Sequence, residues 1–161
     1  MPASSPLIRL YDRLDGLPFG RRVFSIAYQA AAPYFLTIPA RVTAVAPGEA
    51  RAEMGHAPWV SNHLGTVHAI ALCNLAEYTM GAVAEATVPD GYRWIPKGMS
   101  VDYLAKARGR MAAHAVLRLP EPLGDAQEVP VQVTVRDPAA VPVFTAQIRI
   151  WITTNAPKET P

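Results

Sequence analysis

The chain has 161 residues, of which 50% are hydrophobic and only 17% charged, against a typical charged share of ~25%. That length fits one domain with a core large enough to need no disulfide or metal staple, and the single cysteine, Cys73, excludes an intramolecular disulfide and a multi-cysteine zinc site. A formal net charge of +2, from 15 basic and 13 acidic residues, argues against nucleic acid as the main partner, because that role calls for a dense basic face.

In chain order, Pro6 to Phe35 reads as helical. Leu7, Leu10, Tyr11 and Leu14 recur at helical spacing, as do Val23, Ile26, Ala27 and Ala30; Gly16-Leu17-Pro18 breaks the pattern and Pro33 stops it. Met1 to Leu10 carries no apolar core of signal-peptide length. Beyond Pro39 the rhythm becomes alternation over Arg41 to Met54, with Pro47-Gly48 between two runs, which is a hairpin signature. After a loop, Ala57 to Leu64, comes the most apolar window, Thr66 to Ala84, with little punctuation until Pro89. It is rich in alanine and, at about 20 residues, too long for one typical strand, so it predicts a helix buried on almost all sides. His68, Asn74 and Glu77 are unfavourable in lipid, which sets the window apart from a membrane span. The chain therefore reads as soluble and cytoplasmic.

Strand rhythm resumes at Trp94, where Met99, Val101 and Tyr103 alternate with Ser100, Asp102 and Leu104. Gly109 turns the chain into Arg110 to Leu119. After the loop Pro120 to Gln127, Val129, Val131, Val133 and Val135 alternate with polar neighbours. Asp137 to Pro142 turns again, and Phe144, Ala146, Ile148, Ile150 and Ile152 share one face. Residues 155–161 form a polar tail. A helical preface (1–38) thus precedes a core (39–154) of one hairpin, one long helix and four more strands. Loops this short cannot make parallel crossovers, so the strands are antiparallel provided that sequential neighbours pair. Their apolar face needs a cover, and the buried helix is the only element long and apolar enough. The predicted architecture is α+β: a curved antiparallel sheet wrapped around a long central helix, the hotdog fold, as a single domain with an N-terminal helical extension. Its exposed edge strand, like the low charged share, points to pairing with a second copy.

The familiar catalytic signatures are missing: no G-x-S-x-G, phosphate loop, dinucleotide fingerprint or H-E-x-x-H occurs. Cys73, mid-helix among apolar residues, reads as an inert packed thiol. What remains is Asn62-His63-Leu64-Gly65-Thr66-Val67-His68 and Glu77, the only carboxylate from Thr66 to Ala84. A buried carboxylate must be hydrogen-bonded, protonated or facing a cavity, and a structural acid satisfies that as well as a catalytic one. At ~100° per residue, His68 falls on the opposite side of a regular helix from Glu77. This argues against a dyad inside one subunit.

Asn62-x-x-Gly65-Thr66-x-His68, followed by the acid of Leu75-Ala76-Glu77, resembles the helix-entry signature of hotdog-fold acyl-CoA thioesterases, in particular the phenylacetate-pathway type. The preface, with Gly16-Leu17-Pro18-Phe19-Gly20 and Ala32-Pro33-Tyr34-Phe35, is similar to an uncharacterised hotdog subfamily. The resemblance implies an enzyme that hydrolyses an acyl-CoA thioester as a homodimer, with pairing into a homotetramer left open and no cofactor or metal required. It implies Glu77 as nucleophile or general base, and Asn62 as the residue that orients water or substrate. The backbone N–H of Ala69 would polarise the thioester carbonyl, where the helix dipole and orphan donors favour negative charge. Asn62 and Ala69 would come from one subunit and the acid from its partner. Ser100 is the candidate for an assisting hydroxyl beyond the acid. His63, Gly65 and His68 belong to the substrate-binding loop, with His68 read as fixing it. Lys97, Lys106, Arg108 and Arg110 are candidates to receive coenzyme A phosphates, although an acyl carrier protein is not excluded as the carrier. Relatives usually have Gly-Gly where this chain has Ala69-Ile70; the backbone donor survives, but the added side chains narrow the approach. That departure keeps open a non-catalytic acyl-CoA- or lipid-binding hotdog protein. The His63–Glu77 spacing also resembles the His/Glu pair of hotdog 3-hydroxyacyl thioester dehydratases, but Leu64-Gly65-Thr66-Val67 lacks their proline.

Overall fold

The computed structural model describes residues 5–155, so Met1 to Ser4 and the predicted tail beyond Asn155 lie outside the described residues. Helices α1 (Pro6–Asp15) and α2 (Gly20–Ala31) form the preface. Ser5 caps α1 by accepting from the Ile8 N–H at 3.2 Å, and Pro6 occupies the first turn, where its missing N–H is harmless. The predicted break falls between them, with Phe19 in the left-handed region at φ 61°. A Cβ on Gly20 would stand 1.6 Å from the Leu14 carbonyl oxygen, so only glycine lets α2 start pressed against α1. A 3-10 turn, Pro33–Thr37, leads into β1 (Ala40–Ala46), and Pro47-Gly48 turns it into β2 (Glu49–Met54).

The apolar window folds as α3 (Ala69–Thr87), with Thr66 and Val67 left in the loop before it. The remaining strands are β3 (Tyr92–Tyr103), β4 (Met111–Leu117), β5 (Gln127–Arg136) and β6 (Pro142–Thr154). They join one sheet in the order β1-β2-β4-β5-β6-β3, and every pairing is antiparallel. Sequential pairing fails on both sides of β3, which pairs with β6 and with neither β2 nor β4, while β2 pairs with β4. Segment 104–110 carries the chain over three strand spacings, ~14 Å, which seven extended residues span with room to spare. It is pinned on the way, since the Leu104 N–H donates to the Val143 carbonyl and the Val67 N–H to the Ala107 carbonyl, each at 2.9 Å.

The concave face of the sheet presents small residues in its centre, Ala50 and Ala52 on β2 and Ala113 and Ala115 on β4, flanked by Val42, Met54, Met111, Val131, Val133, Ile148 and Ile150; all are buried. The alanines let α3 approach closely, and Leu72, Leu75, Ala76, Tyr78, Met80, Ala82, Val83 and Ala84 are buried around it. α2 covers the β1 edge. There the Ser25 hydroxyl accepts from the Val42 N–H at 2.9 Å and donates to the Arg21 carbonyl at 2.8 Å, while Gln29 Nε2 donates to the Ala40 carbonyl at 3.0 Å. The β3 edge has no such cover among the described residues, and Ile95, Tyr103 and Leu104 stand exposed near it. This is the hotdog arrangement with a helical extension. No helix among the described residues is long and apolar enough to cross a membrane.

Candidate active site

The loop that enters α3 is tied into a knot by one asparagine. Asn62 Oδ1 accepts from the Leu64 N–H at 3.0 Å and the Thr66 N–H at 3.1 Å, and Nδ2 donates to Thr66 Oγ1 at 2.9 Å. Its backbone closes the same turn, donating to the Thr66 carbonyl, while Gly65 supplies φ 67° at the tip. Of the four hydrogen bonds such an amide can make, one N–H is left over. His68 then caps the helix: its Nδ1 accepts from the Ile70 N–H at 3.1 Å. A nitrogen that accepts carries no proton, so the neutral ring is protonated at Nε2. His68 thereby holds the entry into the helix. The Ala69 N–H opens the helix with no acceptor among the described residues, as first-turn donors do. Beside it, Ile70 is 58% exposed.

Glu77 lies two turns further on, ~12 Å along the axis from Ala69. It is partly buried in a cavity of about 460 Å³ bounded by Leu7 of α1, Tyr28 of α2, Phe35 of the 3-10 turn, Met80 and Gly81 of α3, and Trp94 of β3. Among the described residues its carboxylate has no hydrogen-bond or ion-pair partner. The side chain faces the cavity. Glu85, on the same stripe of α3, accepts from Trp94 Nε1 at 3.1 Å. Burial, the neighbouring Tyr78 and then the two carboxylates push the Tyr28 phenol far up from its ordinary value, so it stays neutral.

The remaining candidates divide between places. Lys106 and Arg108 are exposed and flank Ala107, whose carbonyl takes the Val67 N–H; they therefore stand beside the Asn62 loop. Lys97 does not join them, for its ammonium sits 4.7 Å over the Trp151 ring, on the face opposite buried Ile150 and Ile152. Arg110 is engaged with Glu53 at 3.2 Å; together with Arg41 it holds that carboxyl below its usual range. Ser100 is exposed opposite Gln147, on the face of β3 away from Met99 and Val101, and is not brought to Glu77. His63 is exposed. Cys73 Sγ lies 3.3 Å from the Tyr103 hydroxyl, and that contact, with burial, pushes the phenol up to about 12.

Within one protomer the candidates thus fall in two groups, the loop with Lys106 and Arg108 at the start of α3 and the acid in its cavity two turns away. Tyr28, Phe35, Leu7 and Trp94 were not singled out by the sequence. One signal was available: Gly81 sits mid-helix, where glycine costs about 1 kcal/mol relative to alanine, and such a position marks a close approach.

A sheet of this order around one helix, entered by a capped loop and carrying an acid, defines a hotdog-fold protein. The chain belongs to the family described as Domain of unknown function (DUF4442), whose model matches residues 20–152. A structural-genomics crystal structure is 34% identical, with a TM-score of 0.78 over 92% of this chain and 98% of that one. Two more distant hotdog structures share the fold. A thioesterase family protein from Silicibacter pomeroyi is 16% identical with a TM-score of 0.69, over 81% of this chain and 96% of its own. The E. coli PaaI protein from the phenylacetic acid degradation operon is 14% identical with a TM-score of 0.64, over 78% of this chain and 90% of its own. The resemblance read from residues 62–77 therefore holds at the level of the hotdog fold. No curated protein matches the chain.

Proposed function

We propose that the protein hydrolyses an acyl-CoA thioester as a homodimer, with Glu77 of one protomer acting across the interface from the Asn62–Ala69 loop of the other. The observation that carries this is the Glu77 carboxylate, which has no partner among the described residues and faces a largely apolar cavity. An acid kept there without a structural partner makes sense where it has a proton to move. Acting as general base, Glu77 takes a proton from water; the oxygen attacks the thioester carbonyl carbon, the C–S bond breaks, and the departing thiolate takes up the proton. The products are a carboxylic acid and a free thiol. The Ala69 N–H and the start of α3 offer charge stabilisation to the carbonyl oxygen as it becomes negative, and the spare Asn62 N–H can hold water or substrate. Lys106 and Arg108, beside that loop, suit the phosphates of coenzyme A. The ~12 Å between Ala69 and Glu77 within one chain, with the uncovered β3 edge, supports a site completed by a second copy. No step is assigned to Ser100.

The test is a panel of acyl-CoA esters with detection of free thiol, run on wild type and Glu77→Gln, with the oligomeric state measured in parallel. Hydrolysis that falls at least ~10²-fold in the variant is the expected result for loss of a general base; equal rates would remove Glu77 from the mechanism. The exposed Ile70 beside Ala69 favours a second reading, an acyl-CoA-binding protein without turnover. It predicts saturable binding and no thiol release.

A further inference from the structure

The preface does more than cover the β1 edge, because it builds one wall of the Glu77 cavity. Tyr28 is fixed there from several sides. Its ring centroid lies 6.3 Å from that of Phe24, 6.2 Å from Phe35 and 5.1 Å from Tyr78, and its hydroxyl donates to the Tyr78 carbonyl at 3.1 Å. That hydroxyl fills the notch left by Gly81, where a Cβ would stand 2.5 Å from it and 3.8 Å from the Trp94 ring. Trp94 is itself held by the hydrogen bond from its Nε1–H to Glu85. Tyr28 and Trp94 therefore converge over Gly81, one turn of α3 or ~6 Å beyond Glu77. The rest of the lining is apolar apart from Glu77 and Glu85, and among the described residues it includes no lysine or arginine.

Resting on the thioesterase reading of Glu77, we infer that this cavity receives the acyl group, admits neutral apolar acyl groups of limited length, and owes its limit to Tyr28 seated over Gly81. An acyl chain that starts at the carbonyl near Glu77 meets this constriction within one helical turn. Going further means displacing a ring held by three aromatic neighbours and a hydrogen bond. An acyl group ending in a carboxylate brings a third acid to a lining that, among the described residues, already holds two and no cation, which disfavours it. Tyr28 is in this sense a specificity-determining residue; it takes no part in the bond-breaking step.

The experiment compares wild type, Tyr28→Ala and Gly81→Ala on straight-chain acyl-CoA esters of increasing length and on dicarboxylic esters of matched length. Binding of non-hydrolysable thioether analogues of the same acyl groups is measured alongside by calorimetry. Wild type should favour short acyl groups by at least about tenfold in kcat/KM over long ones and neutral over dicarboxylic ones by a similar factor. Tyr28→Ala should move the optimum to longer chains, and Gly81→Ala, which fills the notch, to shorter ones. The thioether affinities should follow the same orders. An identical length order in all three folded proteins, or equal use of dicarboxylic and neutral esters, overturns the inference. Shifted thioether affinities without any hydrolysis would sink the thioesterase reading and leave the cavity assignment standing. If Tyr28→Ala does not fold, as judged by its melting curve, Tyr28→Leu takes its place.

Discussion

Replacing Glu77 with leucine should make the protein more stable and inactive at the same time. Glutamate and leucine have nearly the same helix propensity, so the backbone contributes almost nothing to the difference. The side chain is partly buried at the cavity that Leu7, Tyr28, Phe35, Met80 and Trp94 also line, and among the described residues no donor is hydrogen-bonded to it. Full burial of a leucine side chain contributes about 1.5–3 kcal/mol. The cavity is open on one side, so roughly half of that applies, and relief of the carboxylate's lost hydration adds a little. The sum is about 1–2 kcal/mol, which for a chain of this length raises Tm by about 3–6 °C. Melting curves of wild type and Glu77→Leu at one fixed protein concentration measure it, since dissociation of a dimer would otherwise shift Tm. Glu77→Gln, run alongside, keeps the shape and should melt near wild type. A fall of several degrees in Glu77→Leu would mean that the carboxylate holds the structure together through a partner, and the argument for a catalytic acid would collapse.

Three further outcomes follow from other parts of the molecule. Ser25→Ala leaves the buried Val42 N–H without its acceptor, so stability should drop by about 1–3 kcal/mol, seen as a lower denaturant midpoint with an unchanged slope. The Tyr78 hydroxyl is buried beside Ser25 without completing a hydrogen bond, and burial pushes its phenol from 10.0 up to about 12. Below pH 10 both folded and unfolded chains keep that proton; above it the unfolded chain releases it first. Stability is therefore lost as pH rises from 10 towards 12, at up to ~1.4 kcal/mol per pH unit, and Tyr78→Phe should flatten this alkaline decline in Tm. A decline equally steep in the variant would assign it to other groups. Finally, Lys106→Ala with Arg108→Ala should raise KM for acyl-CoA about tenfold or more, equivalent to ~1.4 kcal/mol, while leaving KM for a phosphate-free thioester unchanged. An equal rise for both esters would show that these cations do not meet the phosphates.

Local rhythm made most of the fold legible. Val129, Val131, Val133 and Val135 alternate in sequence and are all buried on one face of β5, and the same holds for Ile148, Ile150 and Ile152 on β6. The break at Gly16-Leu17-Pro18 and the hairpin at Pro47-Gly48 were equally readable, because turn residues carry their geometry with them. The position of β3 was not. Its alternation gives its faces but not its neighbour; that choice is made by segment 104–110 crossing over the start of α3 and pinning Ala107 to Val67. Such a long-range bond leaves no periodic trace. In the candidate site, Asn62, Gly65 and His68 stood out because one short segment supplies the whole knot. Tyr28 and Phe35 did not, because they reach Glu77 only through the docking of the preface, about fifty residues away along the chain for Tyr28 and Tyr78.

A helix buried on every side has no space for a reacting group, and α3 is almost that helix. Its exception is one slowly turning stripe, Cys73, Glu77, Gly81 and Glu85, each one turn from the next. The stripe faces β3, the strand added at the sheet edge, and the preface rather than the five strands that enclose the rest. Cys73 and Glu77 are partly buried and Glu85 is exposed, whereas Ala76, Met80, Val83 and Ala84 are closed off. A carboxylate is tolerable at Glu77 because there it keeps contact with a cavity instead of only packed side chains. On the proposed function, the opening that accommodates the acid is also the one a ligand would enter, so the features that weaken this part of the core would be those that give it chemistry to do. On that account, substitutions that fill the stripe with apolar bulk should gain stability in proportion to the cavity they remove, and lose ligand affinity by the same measure.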